Sequence, residues 1–229
     1  VTKMPKAKLW LRFRNLNDGL TESLLKKLDD IGADGNRFLD DFADATDETL
    51  NTLLKKPELV DAWKKMDGFG ADEALKRNTG ALEALSKSSG SRPDPSEYLS
   101  QSYINSHLSK FENDDIIRVT SQSSIASHGG TLGGPDAFVT TKTDFEKMFL
   151  ETGGDLREIE KRMGFAQGEL GDDAVFAVIK REDVGTFKMA SGNEAGVNSN
   201  WIPGGKTSGG MPEATLDLTT VREFKPFNP

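Results

Sequence analysis

The sequence predicts an α+β protein in which a helical region, residues 1–90, precedes a mixed α/β domain, residues 91–229. Three observations support this prediction. Before residue 90, apolar residues recur at the three- and four-residue spacing of packed helices. After Asp115, short runs rich in β-branched residues indicate strands. Between the two regions, residues 88–95 are rich in Ser and Pro, which is typical of a linker.

The helical region contains several apolar faces and no residue pattern that suggests chemistry. Its helices are indicated by Leu24, Leu25, Leu28 and Ile31, by Phe38, Leu39 and Phe42, by Leu50, Leu53 and Leu54, by Leu59, Val60 and Trp63, and by Ala81, Leu82, Ala84 and Leu85. Apolar residues at this spacing bury one side of a helix against its neighbours. We therefore expect a helical scaffold.

The mixed domain should contain four strands with helices between them. The strands are predicted at 116–120, 138–141, 174–179 and 214–218. Thr143 and Glu146 have the spacing of a capping box, which predicts a helix that begins there and continues towards Leu150. A glycine-rich segment without helical periodicity precedes the last strand, and irregular segments of this length are usually functional or disordered.

Composition excludes several kinds of site. The chain has no cysteine, which excludes disulfides, thiolate nucleophiles and zinc–cysteine sites. Its two histidines cannot supply a three-histidine metal site. Residues 91–229 contain 14 basic and 21 acidic residues, and this acidic balance argues against a nucleic-acid-binding face. We expect no membrane span and no signal peptide, because no apolar run is long enough for either.

Two charged residues are the strongest candidates for ligand chemistry. Arg118 lies inside an apolar strand, where its planar guanidinium can donate two hydrogen bonds to a pyrophosphate. Glu213 follows Gly209-Gly210, and a carboxylate there can bind a ribose hydroxyl or stabilise positive charge developing on a sugar. The two glycines would let the backbone approach a ligand closely. A surface arginine and a solvated glutamate are the alternative interpretations.

Hydroxyl, aromatic and imidazole side chains on the same elements complete the candidate set. Thr140 and Thr141 end the second strand, and because strand side chains alternate, only one hydroxyl would face a cleft. Thr120 and Phe138 lie on the first and second strands as further ligand-contacting candidates. His128 lies in the loop between these strands and is a candidate general base, with an ordinary loop histidine as the alternative.

The order of these residues resembles that of the ADP-ribosyltransferase toxin family, over roughly residues 114–222. An arginine on the first strand precedes an aromatic and threonine-rich second strand, Phe138-Val139-Thr140-Thr141, and a glutamate follows a glycine-rich loop. The resemblance implies a split, mainly antiparallel sheet, with NAD as the substrate and no metal. It also implies that Glu213 is catalytic. Arg118 and His128 are the residues we expect to assist it. The NAD-binding residues would be Arg118, Thr120, Phe138, Thr140 and Thr141.

Two positions depart from the family pattern. Lys142 stands where a hydroxyl residue often stands at the end of the second strand. Met211 stands two residues before Glu213, where many members that modify protein side chains carry Glu or Gln. The acceptor of ADP-ribose therefore stays open, and simple hydrolysis of NAD is included.

The resemblance extends to a biological setting. Residues 38–42 and 57–64 are similar to helical regions that precede toxin modules in bacterial polymorphic toxins. A bacterium would secrete or deliver such a toxin into the cytoplasm of a target cell, where it acts on an unknown protein or nucleic-acid target. A cognate immunity protein would protect the producer. Val1 in place of Met is what a fragment of a longer toxin would show.

Two other functions are compatible with the sequence. A metal-independent toxin ribonuclease could use His128 and Arg118 with Lys142 or Lys206 around a scissile phosphate. A binding module without catalysis could use the glycine-rich loop to dock a partner. The ribonuclease would cleave RNA without NAD. The binding module would turn over neither NAD nor RNA.

Overall fold

The computed structural model describes residues 6–228, and the chain divides into two units, Val1–Lys87 and Ser88–Pro229. The boundary predicted at residue 90 lies three residues beyond this division. The described part of the first unit consists of α1 (Lys6–Asp30), α2 (Asp34–Asp41), α3 (Asp47–Lys55), α4 (Leu59–Gly68), α5 (Glu73–Lys76) and α6 (Thr79–Ser86). Within residues 6–228, no helix is both long and apolar enough to cross a membrane.

Aromatic packing forms the centre of the helical unit. The rings of Phe38 and Phe42 lie 4.7 Å apart, and Trp63 meets Phe38 edge-on at 5.4 Å. Trp63 donates a hydrogen bond from Nε1 to Asp41 at 2.8 Å. The buried ammonium of Lys76 has three carboxylates within 3.6 Å. The polar groups that enter this core are therefore paired.

The second unit combines helices with one sheet. Its helices are α7 (Gln101–Glu112), α8 (Gln122–Ser127), α9 (Lys142–Thr152) and α10 (Leu156–Met163), with 3₁₀ turns at Pro95–Glu97 and Arg181–Asp183. Its strands are β1 (Ile116–Ser121), β2 (Ala137–Thr141), β3 (Ala174–Ile179), β4 (Ala214–Leu216) and β5 (Lys225–Pro226). The predicted fold class is confirmed, because an N-terminal helical unit precedes an α+β unit with an antiparallel sheet.

The sheet opens between the neighbouring strands β1 and β2. The strand order is β4-β2-β1-β3-β5, and every neighbouring pair is antiparallel. All six residues of β1 pair with β3, but β1 pairs with β2 only at Ile116↔Thr141 and Ile117↔Thr140. From Arg118 onward, β1 and β2 therefore diverge and leave a gap in the sheet.

Helices cover both faces of the sheet. Ile117 and Val119 of β1 pack with Phe145 of α9 and Ile159 of α10 in one cluster. Ile116 belongs to a second cluster, which also contains Phe111, Val139, Ala177 and Leu216. Since side chains alternate along a strand, Arg118 and Thr120 lie on the face of Ile116, next to the gap.

The segment before β4 is pinned to the end of α10. Thr207 donates its hydroxyl to the carbonyl of Arg162 at 2.6 Å, and its backbone N–H donates to Met211 at 2.9 Å. A Cβ on Gly209 would lie 2.4 Å from both Cα and the carbonyl oxygen of Arg162. Gly209 is therefore needed for contact between two stretches of protein backbone. The sequence predicts that Gly209 lets the backbone approach a ligand. In the structure, the backbone at Gly209 instead packs against the backbone of α10.

This contact predicts a steric cost for Gly209→Ala. The added methyl group must displace backbone atoms, so the free energy of unfolding of this unit should fall by about 2–3 kcal/mol. Gly185→Ala is the matched control, since a Cβ there meets nothing within 4 Å, and it should change stability by less than about 0.5 kcal/mol. Native-state hydrogen exchange of β1 and β3 amides measures this unit alone. Equal protection in both variants would contradict the prediction.

Candidate functional site

A cavity of about 430 Å³ lies at the opening of the sheet. This volume falls within the range of small-molecule sites, about 300–1,000 Å³. Five of the residues predicted from the sequence line it: Arg118, Thr120, His128, Phe138 and Glu213. Arg118 and Glu213 also line a second, small recess of about 20 Å³. Residues about 95 positions apart in the chain thus face one space, as the sequence predicts for a single site.

Arg118 is held at the opening by backbone carbonyls. Its Nε donates to the carbonyl of Leu132 at 3.2 Å, and one terminal nitrogen donates to the carbonyl of Phe138 at 2.8 Å. A guanidinium has five N–H donors, and the other three have no acceptor among the described residues. The Arg118 guanidinium is therefore fixed in orientation and retains N–H donors for an anionic ligand.

Glu213 is fixed by its backbone while its carboxyl group has no partner. Its N–H donates to the carbonyl of Gly205 at 2.8 Å, and its carbonyl accepts a hydrogen bond from Nε2 of His107 at 2.8 Å. Within the described chain, its carboxyl forms neither a hydrogen bond nor an ion pair, and no N–O distance to Arg118 is within 4.0 Å. The half-buried carboxyl therefore faces the cavity unpaired.

The surroundings shift both ionisations towards the neutral forms. Burial raises the pKa of Glu213 to about 8, the charge of Glu194 adds to this, and Arg118 opposes it. Burial lowers the pKa of Arg118 to about 10, and the charge of Glu213 opposes that change. At pH 7, Arg118 is a cation and most Glu213 is protonated. A carboxyl group perturbed by burial beside a specific cation is a common feature of functional sites.

The other cavity-lining candidates have different surroundings. Thr120 is buried, and its hydroxyl has no protein partner in the described residues. Phe138 is half-buried, and its carbonyl accepts a hydrogen bond from Arg118. His128 is exposed at the end of α8, where Nδ1 lies 2.8 Å from the carbonyl of Ser124. This contact assigns the hydrogen to Nδ1 and leaves Nε2 as the acceptor of the neutral ring.

Thr140 and Thr141 are not among the described residues that line the cavity. Thr141 is the N-cap of α9: its hydroxyl accepts a hydrogen bond from the Asp144 N–H at 3.3 Å and donates to the Asp144 carboxylate at 2.5 Å. The prediction that Thr143 caps this helix is wrong, because α9 begins at Lys142 and its N-cap is Thr141. Thr140 is fully buried with its hydroxyl unpaired in the described structure. A role for either threonine in binding NAD stays a prediction.

A loop over residues 191–201 forms a further wall of the cavity. Glu194 accepts three hydrogen bonds from Ser191 and Gly192, so this carboxylate holds the loop. Arg92 donates to the Gly192 carbonyl at 2.5 Å and lies 4.4 Å from the ring of Trp201, which lines the cavity. Trp201 therefore helps to hold the loop in place. The sequence contains no signal for its pairing with Arg92, because the two residues are more than 100 positions apart.

The described residues contain no group of three or more His, Asp or Glu side chains placed to hold a metal ion. Lys142, a candidate in the ribonuclease hypothesis, is ion-paired with Glu146. Neither Lys142 nor Lys206 is among the described residues lining the cavity. No protein-family model matches the sequence, and no curated protein shows significant similarity to it. The function is therefore inferred from the geometry of the cavity.

The electrostatics of the cavity predict an unusual titration for Glu213. Its carboxyl ¹³C signal, assigned by its loss in Glu213→Gln, should titrate with a midpoint near 8. Arg118→Gln should raise the midpoint, because it removes the opposing cation, and Glu194→Gln should lower it. NMR titration of the three proteins measures these shifts. A midpoint below about 5 in the unmodified protein, near the ordinary value for glutamate, would contradict the assigned burial.

Proposed function

We propose that the Ser88–Pro229 unit binds NAD in this cavity, breaks the nicotinamide–ribose bond and transfers ADP-ribose to an acceptor. The observation that supports this proposal most is that a fixed cation with free donors and an unpaired carboxyl face the same cavity without contacting each other. NAD matches this arrangement chemically, because it carries an anionic pyrophosphate and a cationic nicotinamide ring.

Arg118 is the group proposed to bind the anionic part of NAD. Two of its donors are used by backbone carbonyls, so its remaining donors need no reorganisation to meet a phosphate or a ribose oxygen. Its partial burial strengthens any such contact, since fewer water molecules compete for the guanidinium. Lysine would retain the charge at this position but could not maintain both carbonyl contacts and the ligand contacts.

Glu213 is the group proposed to act during bond cleavage. Without ligand its pKa near 8 leaves it mostly protonated, but the positive charge of a bound nicotinamide ring would favour ionisation. The carboxylate would then stabilise positive charge that accumulates on the ribose as nicotinamide leaves, and could orient a ribose hydroxyl before that step. Because the Glu213 carboxyl is partly buried, this charge stabilisation is stronger than it would be in bulk water.

The alternatives receive less support from the cavity. A ribonuclease would need further cations or bases beside the scissile phosphate, but Lys142 and Lys206 are not among the described residues that line the cavity. A binding module without catalysis has no need for an unpaired carboxyl with a raised pKa. NAD cleavage assigns a task to both charged groups.

The setting of this activity is proposed from the family resemblance. In that setting the chain is part of a bacterial toxin, delivered into the cytoplasm of a target cell. Its acceptor is an unknown protein, nucleic acid or water, and a cognate immunity protein neutralises it in the producer. The acidic second unit, with 14 basic and 21 acidic residues after residue 90, would suit basic contacts on that partner.

Release of nicotinamide from NAD by the purified chain tests the proposal, with and without a cell lysate as a source of acceptors. Glu213→Gln should lower the rate by about 100-fold or more, because it removes the stabilising charge. Arg118→Lys should raise KM for NAD by about tenfold, because an ammonium group cannot make the paired N–H contacts of the guanidinium. Glu158→Gln, an exposed glutamate on α10, should leave the rate unchanged.

Three results would contradict the proposal. The first is an absence of nicotinamide release by the folded wild-type chain under both conditions. The second is a rate for Glu213→Gln equal to that of Glu158→Gln. The third is cleavage of total RNA without NAD, which would favour the ribonuclease.

A further inference from the structure

One face of α7 holds the backbone on both sides of Glu213. His107 on α7 contacts the Glu213 carbonyl through Nε2 at 2.8 Å. One turn earlier, Tyr103 donates its hydroxyl to the carbonyl of Gly204 at 2.9 Å. The next residue, Gly205, accepts the Glu213 N–H at 2.8 Å. Both backbone hydrogen-bonding groups of Glu213 are therefore held by α7 or by the Gly204–Gly205 bend that α7 holds.

The fit around His107 leaves its ring little freedom. The residue is 5% exposed, and its ring lies 5.5 Å from that of Phe111. Gly205 has φ +75°, and a Cβ on it would lie 2.5 Å from Nε2 of His107 and 2.6 Å from the sulfur of Met189. Glycine at position 205 is thus required both by its left-handed backbone and by the imidazole packed against it.

The contact also determines the form of the imidazole. A carbonyl oxygen only accepts hydrogen bonds, so Nε2 must carry the hydrogen. Burial lowers the pKa of His107, and the bond to Glu213 opposes this change. His107 is not among the described residues lining the cavity, so any effect on a ligand must act through Glu213.

We propose that His107 is a positioning residue for Glu213, whose imidazole fixes the Glu213 carbonyl and thereby the place of the carboxyl group in the cavity. The consequence for turnover rests on the proposed function, whereas the geometric claim about Glu213 does not. Loss of the bond would let the start of β4 shift, and a displacement of about 1 Å at a reacting group can cost roughly 100-fold in rate.

Two substitutions separate the hydrogen bond from packing. His107→Gln retains an N–H donor near the position of Nε2, whereas His107→Leu fills similar space without a donor. In His107→Leu the looser Glu213 carboxyl becomes better solvated, so its NMR titration midpoint should fall by about one unit. In His107→Gln it should stay within about 0.3 units of the wild type. A midpoint unchanged in His107→Leu would overturn the proposal.

Kinetics provide a second readout of the same variants. The kcat for nicotinamide release should fall by about tenfold or more in His107→Leu with KM for NAD changed less than about threefold, and His107→Gln should restore most of it. Equal kcat in both variants would overturn the positioning role. If the wild type releases no nicotinamide, the proposed function fails, but the Glu213 titration still decides whether His107 positions the carboxyl.

A measurement on the unsubstituted chain applies if His107→Leu does not fold. The ¹⁵N chemical shifts of His107 at neutral pH should show the tautomer with hydrogen on Nε2, as the bond to the Glu213 carbonyl requires. Hydrogen on Nδ1 instead would exclude this bond and overturn the proposal. The exposed His128, with Nδ1 against a carbonyl, should show the opposite tautomer and is the internal control.

Discussion

The second unit depends on the contact between Arg118 and the carbonyl of Phe138, at 2.8 Å. In an unbroken ladder, that carbonyl would accept a hydrogen bond from the backbone of β1. Here β1 and β2 pair over only two residues, and the guanidinium supplies a donor where the strands separate. A side chain thus satisfies a backbone group that the opening would otherwise leave unpaired. The sheet can therefore open to form a cavity without the free-energy cost of an unpaired backbone carbonyl.

The same contact determines the electrostatics of the cavity. Because Arg118 is clamped by carbonyls, it does not swing across to neutralise Glu213, and the two charges remain separate. Glu194 adds negative charge nearby while its own carboxylate is occupied in holding a loop. Helix α7 holds the Glu213 backbone through His107. The cavity therefore combines an unpaired carboxyl with rigid support, as proposed for charge stabilisation during NAD cleavage.

Some of this organisation follows from the sequence. The order of Arg118, the threonine-rich second strand and Glu213 resembles a family pattern, which implies that Arg118 and Glu213 belong to one site, and both line the cavity. The fold class also follows, because helical spacing and β-branched runs occupy different parts of the chain. Helical spacing and β-branched runs are local patterns, so they are visible without knowledge of the fold.

Other features depend on register or on distant partners. Whether Thr141 faces a cleft or caps a helix depends on where β2 ends, and a shift of one residue changes the answer. The neighbour that requires Gly209 is the backbone of Arg162, and nothing near Gly209 in the sequence indicates it. β5 has two residues without β-branched character, and it exists because β3 provides an edge with which to pair.

The structure of Glu213→Gln with NAD would test the central claim most directly, because the substitution should preserve binding while slowing cleavage. We expect a phosphate or ribose oxygen of NAD within hydrogen-bond distance of Arg118, and the bond between nicotinamide and ribose beside residue 213. The carbonyl contacts of Arg118 should be unchanged. NAD bound elsewhere on the chain, or bound after Arg118 leaves the Phe138 carbonyl, would contradict this account.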